Sequence, residues 1–113
     1  MIEKKYTVYY SPVAKDDLKS VYSYIAFTLL EKKTAVDQTN RIRKEIRSLN
    51  VFPERYQLVA WEPWHQMGIR QIPVNHYIVY YRVDHKTQRV EVVRIFYSGQ
   101  DVESMIQSQQ DRY

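Results

Sequence analysis

The sequence predicts an α+β fold of order β-α-α-β-β-β, with an N-terminal helical hairpin packed on one face of a small, mainly antiparallel sheet. Three observations lead there. Apolar residues recur at helical spacing between Ala14 and Leu49, residues alternate with period two from Tyr77 onward, and the helical stretch precedes the strands without interleaving with them. A chain of 113 residues holds one modest core, so residues 1–113 are expected to be a single domain.

Each element has its own signal. Residues 5–10 (Lys5-Tyr6-Thr7-Val8-Tyr9-Tyr10) are β-branched and aromatic, as a strand prefers. Ser11-Pro12 then places a capping hydroxyl ahead of a proline at the first helical position. Ala14, Leu18, Val21, Tyr22, Ile25 and Leu29 form one apolar stripe. Lys32-Lys33-Thr34 breaks it, and Thr34 is expected to cap a second helix whose inner face is Ala35, Ile42, Ile46 and Leu49. Asn50 and Pro53 end that helix, completing an αα-hairpin. Residues 54–66 read as irregular and carry both tryptophans and His65. Strands are expected over 68–72, 77–84 and 89–97, the last two joined by the loop 84–88 as part of an antiparallel meander. Residues 98–113 read as a polar tail, with Val102, Met105 and Ile106 marking a short helix.

Strand alternation assigns faces. Tyr77, Val79, Tyr81 and Val83 lie opposite Ile78, Tyr80, Arg82 and Asp84, and in the last strand Val90, Val92, Arg94 and Phe96 lie opposite Glu91, Val93, Ile95 and Tyr97. Both faces of the last strand are mostly apolar, which marks it as central. The helix stripes take one side of the sheet. The other, rich in tyrosine and arginine, is expected to stay bare and to serve as the binding surface.

Composition removes whole classes of chemistry. With no cysteine there is no disulfide scaffold, zinc-thiolate site or thiol nucleophile. Two glycines, Gly68 and Gly99, cannot write a phosphate-cradling loop, and His65, His76 and His85 lack the spacing of a metal pair. No metal and no cofactor is expected. No run reaches the roughly 18 apolar residues that span a bilayer, and no apolar leader opens the chain, so a cytoplasmic protein is expected. The net charge is +4, and the whole excess lies in residues 1–50, with 10 Lys and Arg against 6 Asp and Glu. Much of it falls between Lys32 and Arg47, including Arg41 and Lys44, as a solvated helix face or a surface for an anionic partner.

Arg70, Arg82 and Arg94 with Tyr77, Tyr81 and Tyr97 remain, alongside His65 and His76. Arginines grip phosphates with a planar fork of donors, and tyrosines stack on bases or donate a proton. Core packing is the competing role for Tyr77 and Tyr81, a turn for His76, and an ion pair with Glu62, Glu91 or Asp101 for Arg94.

Several strings, in their order and spacing, carry a resemblance. Tyr6-Thr7-Val8-Tyr9-Tyr10-Ser11-Pro12-Val13-Ala14-Lys15-Asp16-Asp17-Leu18, then Leu49-Asn50-Val51-Phe52-Pro53, then Gly68-Ile69-Arg70-Gln71-Ile72 with Tyr77-Ile78-Val79-Tyr80-Tyr81-Arg82-Val83, and last Val90-Glu91-Val92-Val93-Arg94-Ile95 are similar to the RelE/ParE superfamily of toxins from type II toxin–antitoxin modules, the plasmid stabilisation proteins. The resemblance implies a cytoplasmic growth inhibitor neutralised by a cognate antitoxin, a small acidic protein. One branch cuts messenger RNA on the ribosome and the other poisons DNA gyrase. Ile78 stands where the ribonuclease branch carries a catalytic arginine, and an isoleucine cannot neutralise a phosphate. The chain therefore looks closer to the ParE-like, gyrase-directed branch, without chemistry of its own. The alternative is a ribosome-dependent, metal-independent endoribonuclease using Arg70, Arg94 and Tyr97. A further alternative is a nontoxic module that only binds a partner. For partner or nucleic-acid binding the expected residues are Arg82, Tyr81, Tyr77, Arg41 and Lys44.

Overall fold

The computed structural model describes residues 5–110; residues 1–4 and the last three of the expected tail 98–113 lie outside the described residues. Strand β1 (Thr7–Tyr10) leads into α1 (Pro12–Ser23) and α2 (Lys32–Arg47), and β2 (Ile69–Val74), β3 (Tyr77–Asp84) and β4 (Arg89–Tyr97) precede a last helix, α3 (Val102–Gln110). The α+β order read from the sequence is the observed one. The four-stranded sheet runs β1-β4-β3-β2. β2, β3 and β4 form the expected antiparallel meander, and β1 joins β4 in parallel, with Tyr10 opposite Val92.

Ser11 caps α1 as expected: its hydroxyl accepts from Ala14 N at 3.0 Å, and it also donates to Val93 O at 2.9 Å, tying the helix start to the sheet. The hairpin turn departs from expectation. After Ser23 the helix widens into a π-helical turn over Tyr24–Thr28, and the phase change turns Leu29 out of the stripe to 51% exposure. Leu30 takes a left-handed φ of 58° and Glu31 N donates back to Ile25 O at 3.0 Å. α2 therefore begins at Lys32, three residues earlier than a Thr34 cap would place it, and no side chain caps it. Ala14, Leu18 and Val21 of α1 and Ile25 of the π-helical turn meet Ala35, Ile42, Ile46 and Leu49 over Val79, Tyr81, Val90, Val92 and Ile95. Thr39, the one polar residue buried there, returns its hydroxyl to Ala35 O at 2.9 Å.

The second face of the sheet is not bare, and this corrects the central expectation. Ile69, Tyr80 and Phe96 are roofed by Val59 and Trp64 from the irregular segment and by Val102 and Ile106 of α3. The segment is held down by backbone bonds, Val59 N to Ile69 O at 2.8 Å and Gln71 N to Gln57 O at 3.1 Å. Trp64 stacks on Trp61 at 5.0 Å and meets Tyr80 edge-on at 4.9 Å. The sheet is filled on both sides.

A β-bulge also corrects the face assignment in β4. Tyr80 pairs with Arg94 but Tyr81 pairs with Val92, so Val93 is the extra residue. Beyond it the alternation flips: Ile95 joins Val90 and Val92 under the helices, while Phe96 turns to the Trp64 side.

Tyr81, expected at a binding surface, is fully buried, and its hydroxyl donates to Pro53 O at 2.5 Å. Burial pushes its phenol up from 10.0 to about 12, against the opposing pull of the Arg70 and Arg55 charges. The native fold thus favours the neutral phenol. Its contribution to stability is whole below pH 10 and is lost as the pH climbs toward 12. Tyr81→Phe should cost about 1 kcal/mol in urea at neutral pH, and should leave the phenolate absorbance that develops before alkaline unfolding unchanged.

Candidate functional site

β1 ends opposite Val92, so the second half of β4, paired with β3 on one side, has no strand along its other edge. Helix α1 lies along that edge, and a groove of about 870 Å³ opens where the helical hairpin, the ends of β3 and β4, and α3 diverge. Its walls are Asp17, Tyr24 and Leu29 on one side, Gln38 of α2, Tyr77, Arg94 and Tyr97 of the sheet, and Met105 of α3. Tyr24, Leu29 and Tyr97 are each more than half exposed, and the apolar surface continues onto Phe27 and Leu30 at the hairpin tip, Leu30 at 80% exposure. Exposed apolar side chains that adjoin a groove mark a docking surface more than scattered ones do.

The open edge is chemically closed. Asp17 accepts from Arg94 Nε at 2.8 Å, from Arg94 Nη2 at 3.2 Å and from the edge amide of Ile95 at 2.9 Å. The edge amide of Tyr97 goes to Gln100 Oε1 at 3.2 Å. Arg94 also lies 4.3 Å over the Phe96 ring. Its acidic partner is thus Asp17, not Glu62, Glu91 or Asp101. The reach from α1 across 77 residues carries no local signal.

The other expected residues are dispersed. Arg70 shares a sheet face with its cross-strand neighbour Tyr81, whereas Arg94 faces with Tyr80, so the two arginines start from opposite faces. Arg70 donates to Tyr56 O at 2.7 Å, Glu54 O at 3.2 Å and Glu54 Oε2 at 3.2 Å. Arg82 pairs with Glu91 Oε1 at 2.9 Å. Arg94, Tyr97 and Tyr77 do meet at the groove: Tyr77 and Tyr97 pack edge-on at 6.0 Å, and burial raises the Tyr77 phenol above its usual range. The Tyr97 ring covers Gly99, where a Cβ would come within 2.7 Å of it. Arg41 donates to Asn75 Oδ1 at 3.1 Å, and Lys44 is exposed on the outer side of α2. His65 Nδ1 donates to Val59 O at 2.8 Å, and His76 sits in the β2–β3 turn. Among the described residues no cluster of His, Cys, Asp or Glu could hold a metal, and no helix is long and apolar enough to cross a membrane.

Sequence reasoning missed Asp17, Gln38 and His85. Arg41 can only donate, which fixes Asn75 with its oxygen toward Arg41 and its amide toward Gln38 Oε1 at 3.1 Å. Gln38 Nε2 is then buried without an acceptor. His85 lies 2.8 Å from the Tyr6 hydroxyl through Nδ1 and 2.9 Å from Glu54 through Nε2, linking the β3–β4 turn to the chain's start.

Residues 8–102 match the family model described as the ParE toxin of the type II toxin–antitoxin system parDE. Two solved structures are similar in fold. One is from the chromosomal ParDE toxin–antitoxin system of P. aeruginosa, with a TM-score of 0.68 at 16% identity over 83% of this chain and 97% of that one. The other is from the RelBE2 toxin–antitoxin complex of Mycobacterium tuberculosis, with a TM-score of 0.59 at 18% identity over 82% of this chain and 98% of that one. No curated protein matches the sequence as a relative.

Proposed function

The chain belongs to the ParE toxin family of type II toxin–antitoxin systems, and from that membership we propose that it arrests growth by binding DNA gyrase and is neutralised by a cognate antitoxin seated in the groove. One observation carries the choice of target: the three sheet arginines that the sequence singles out as phosphate holders are already engaged by the protein. Arg70 is spent on Glu54 and the Tyr56 carbonyl, Arg82 on Glu91, and Arg94 on Asp17. Ile78 packs against the second core and brings no charge. A site for phosphate cleavage needs preorganised donors aimed at the developing charge, and these donors are each turned onto a carboxylate of the protein itself. Purified toxin should therefore stabilise cleaved DNA in a gyrase supercoiling and cleavage assay. Codon-phased cuts in messenger RNA from induced cells, without DNA breaks, would replace this reading with the ribonuclease one. Normal growth on induction without antitoxin would leave a nontoxic binding module.

The groove suits a partner with an apolar stripe. Tyr24, Leu29 and Met105 offer apolar walls, and Gln38 Nε2 awaits an acceptor. Leu29→Asp is at an exposed position, so thermal melting should shift little, while a charge placed against an apolar partner should weaken antitoxin binding at least about tenfold. A thermal melt of the variant checks the first half of that statement, and isothermal titration with the purified antitoxin checks the second.

A further inference from the structure

Among the described residues, three of the four strand arginines pair with a carboxylate, Arg89 lying over the Tyr9 ring instead, whereas in the helical hairpin Lys33 alone pairs, with Asp37 at 3.5 Å. Among the described residues, Lys15, Lys19, Lys32, Arg43, Lys44 and Arg47 have no carboxylate oxygen within 4.0 Å, whereas Arg70, Arg82 and Arg94 each do. We infer that this outer face of the hairpin binds the phosphate backbone of double-stranded DNA.

Placement brings the charges together. β1 starts beside the C-terminal end of α2, where Tyr6 N donates to Asn50 O at 2.8 Å, and its last residue, Tyr10, feels the charges of Arg43 and Arg47. The start of α1, with Lys15, thus lies at the same end of the hairpin as Arg43, Lys44 and Arg47. Lys15 and Lys19 are one helical turn apart, as are Arg43 and Arg47, so each pair projects from one side of its helix. Helix stability accounts for only part of the set. Lys44 and Arg47 complement the negative end of α2, but Lys15 stands near the positive end of α1, whose first turn carries no acid, and a cation there opposes the helix dipole.

The chemistry of the face selects among anionic partners. From Asn40 to Arg47 the exposed residues are Asn40, Arg41, Arg43, Lys44 and Arg47, and none is apolar. A protein partner needs apolar or aromatic anchors at the centre of its interface. A single strand needs aromatic platforms for its bases. The outer side of α2 from Asn40 to Arg47 exposes neither. It has what a duplex backbone requires: several long cationic arms on a rigid element, able to release counterions from phosphates.

The inference reaches beyond the gyrase reading and is tested without gyrase, so either can fail alone. A fluorescently labelled 20-base-pair duplex, titrated with the full chain, should bind with micromolar affinity at low salt. The log–log salt dependence should have a slope of about −4 to −5, from about −0.9 per phosphate contacted. Arg43→Gln/Lys44→Gln/Arg47→Gln should fall at least tenfold in affinity and lose about 3 from the slope. Lys15→Gln/Lys19→Gln, on the other helix, should lose about 2 and serves if the triple variant melts early. A slope near zero overturns the inference, as does unchanged binding by both variants. So does preference for a polyglutamate peptide, which makes the face a protein-docking one, or for single-stranded DNA or duplex RNA over duplex DNA.

Discussion

Asp17→Ala should lower the free energy of unfolding by about 3 kcal/mol, the low end for removing one partner of a buried ion pair. Three donors lose their acceptor at once: both Arg94 nitrogens and the Ile95 amide. The pair is largely shielded, with Asp17 at 14% and Arg94 at 23% side-chain exposure, so water compensates only in part. Asp17→Asn retains an acceptor for the amide and loses the charge, and should cost about half as much. Urea denaturation of both variants, and of Asp17→Ala/Arg94→Ala, closes a double-mutant cycle whose coupling energy should exceed about 1 kcal/mol. Additive losses would show that Asp17 acts only as an edge cap. Asp17→Ala should also speed hydrogen exchange at Ile95, because its bond to the carboxylate is what protects that edge amide.

Trp64→Ala should cost more, about 4 kcal/mol, as expected for a buried tryptophan truncated to alanine. Its ring is 5% exposed and lies between Trp61 and Tyr80. A domain of this size has about 5–15 kcal/mol in total, so the variant should melt well below the parent and bind a hydrophobic dye at the uncovered face. Trp64→Phe, which keeps most of the apolar bulk, should recover more than half of the loss. A cost below about 1 kcal/mol for the alanine variant would mean that the second layer is ornamental to folding.

The first layer was legible because its residues repeat. Ala14, Leu18, Val21 and Ile25, then Ala35, Ile42 and Ile46, hold helical spacing long enough to be read, and all are buried. The second layer rests on Val59 and Trp64 in a segment without period, and on Val102 and Ile106, a single helical step. No periodic signal exists there. The π-helical turn and the Val93 bulge each insert a residue into a regular pattern and shift the rest of their own element by one position: Leu29 turns outward, and Ile95 and Phe96 exchange sides. At the candidate site, Tyr97 and Tyr77 were legible as exposed or half-buried aromatics near a strand end. Asp17 and Gln38 were not, because their roles come from partners on elements distant in sequence. Family resemblance reached where periodicity could not, since it reads the order of motifs and not their contacts.

The parallel seam between β1 and β4 sets a schedule for biosynthesis. Ser11 donates to Val93, 82 residues further along, and among the described residues the only strand beside β1 is β4. Contacts that distant in sequence form late, after the intervening chain exists. An elongating ribosome therefore displays the helical hairpin long before the strand that anchors it has been translated, and the poison cannot assemble until translation has passed the β4 codons.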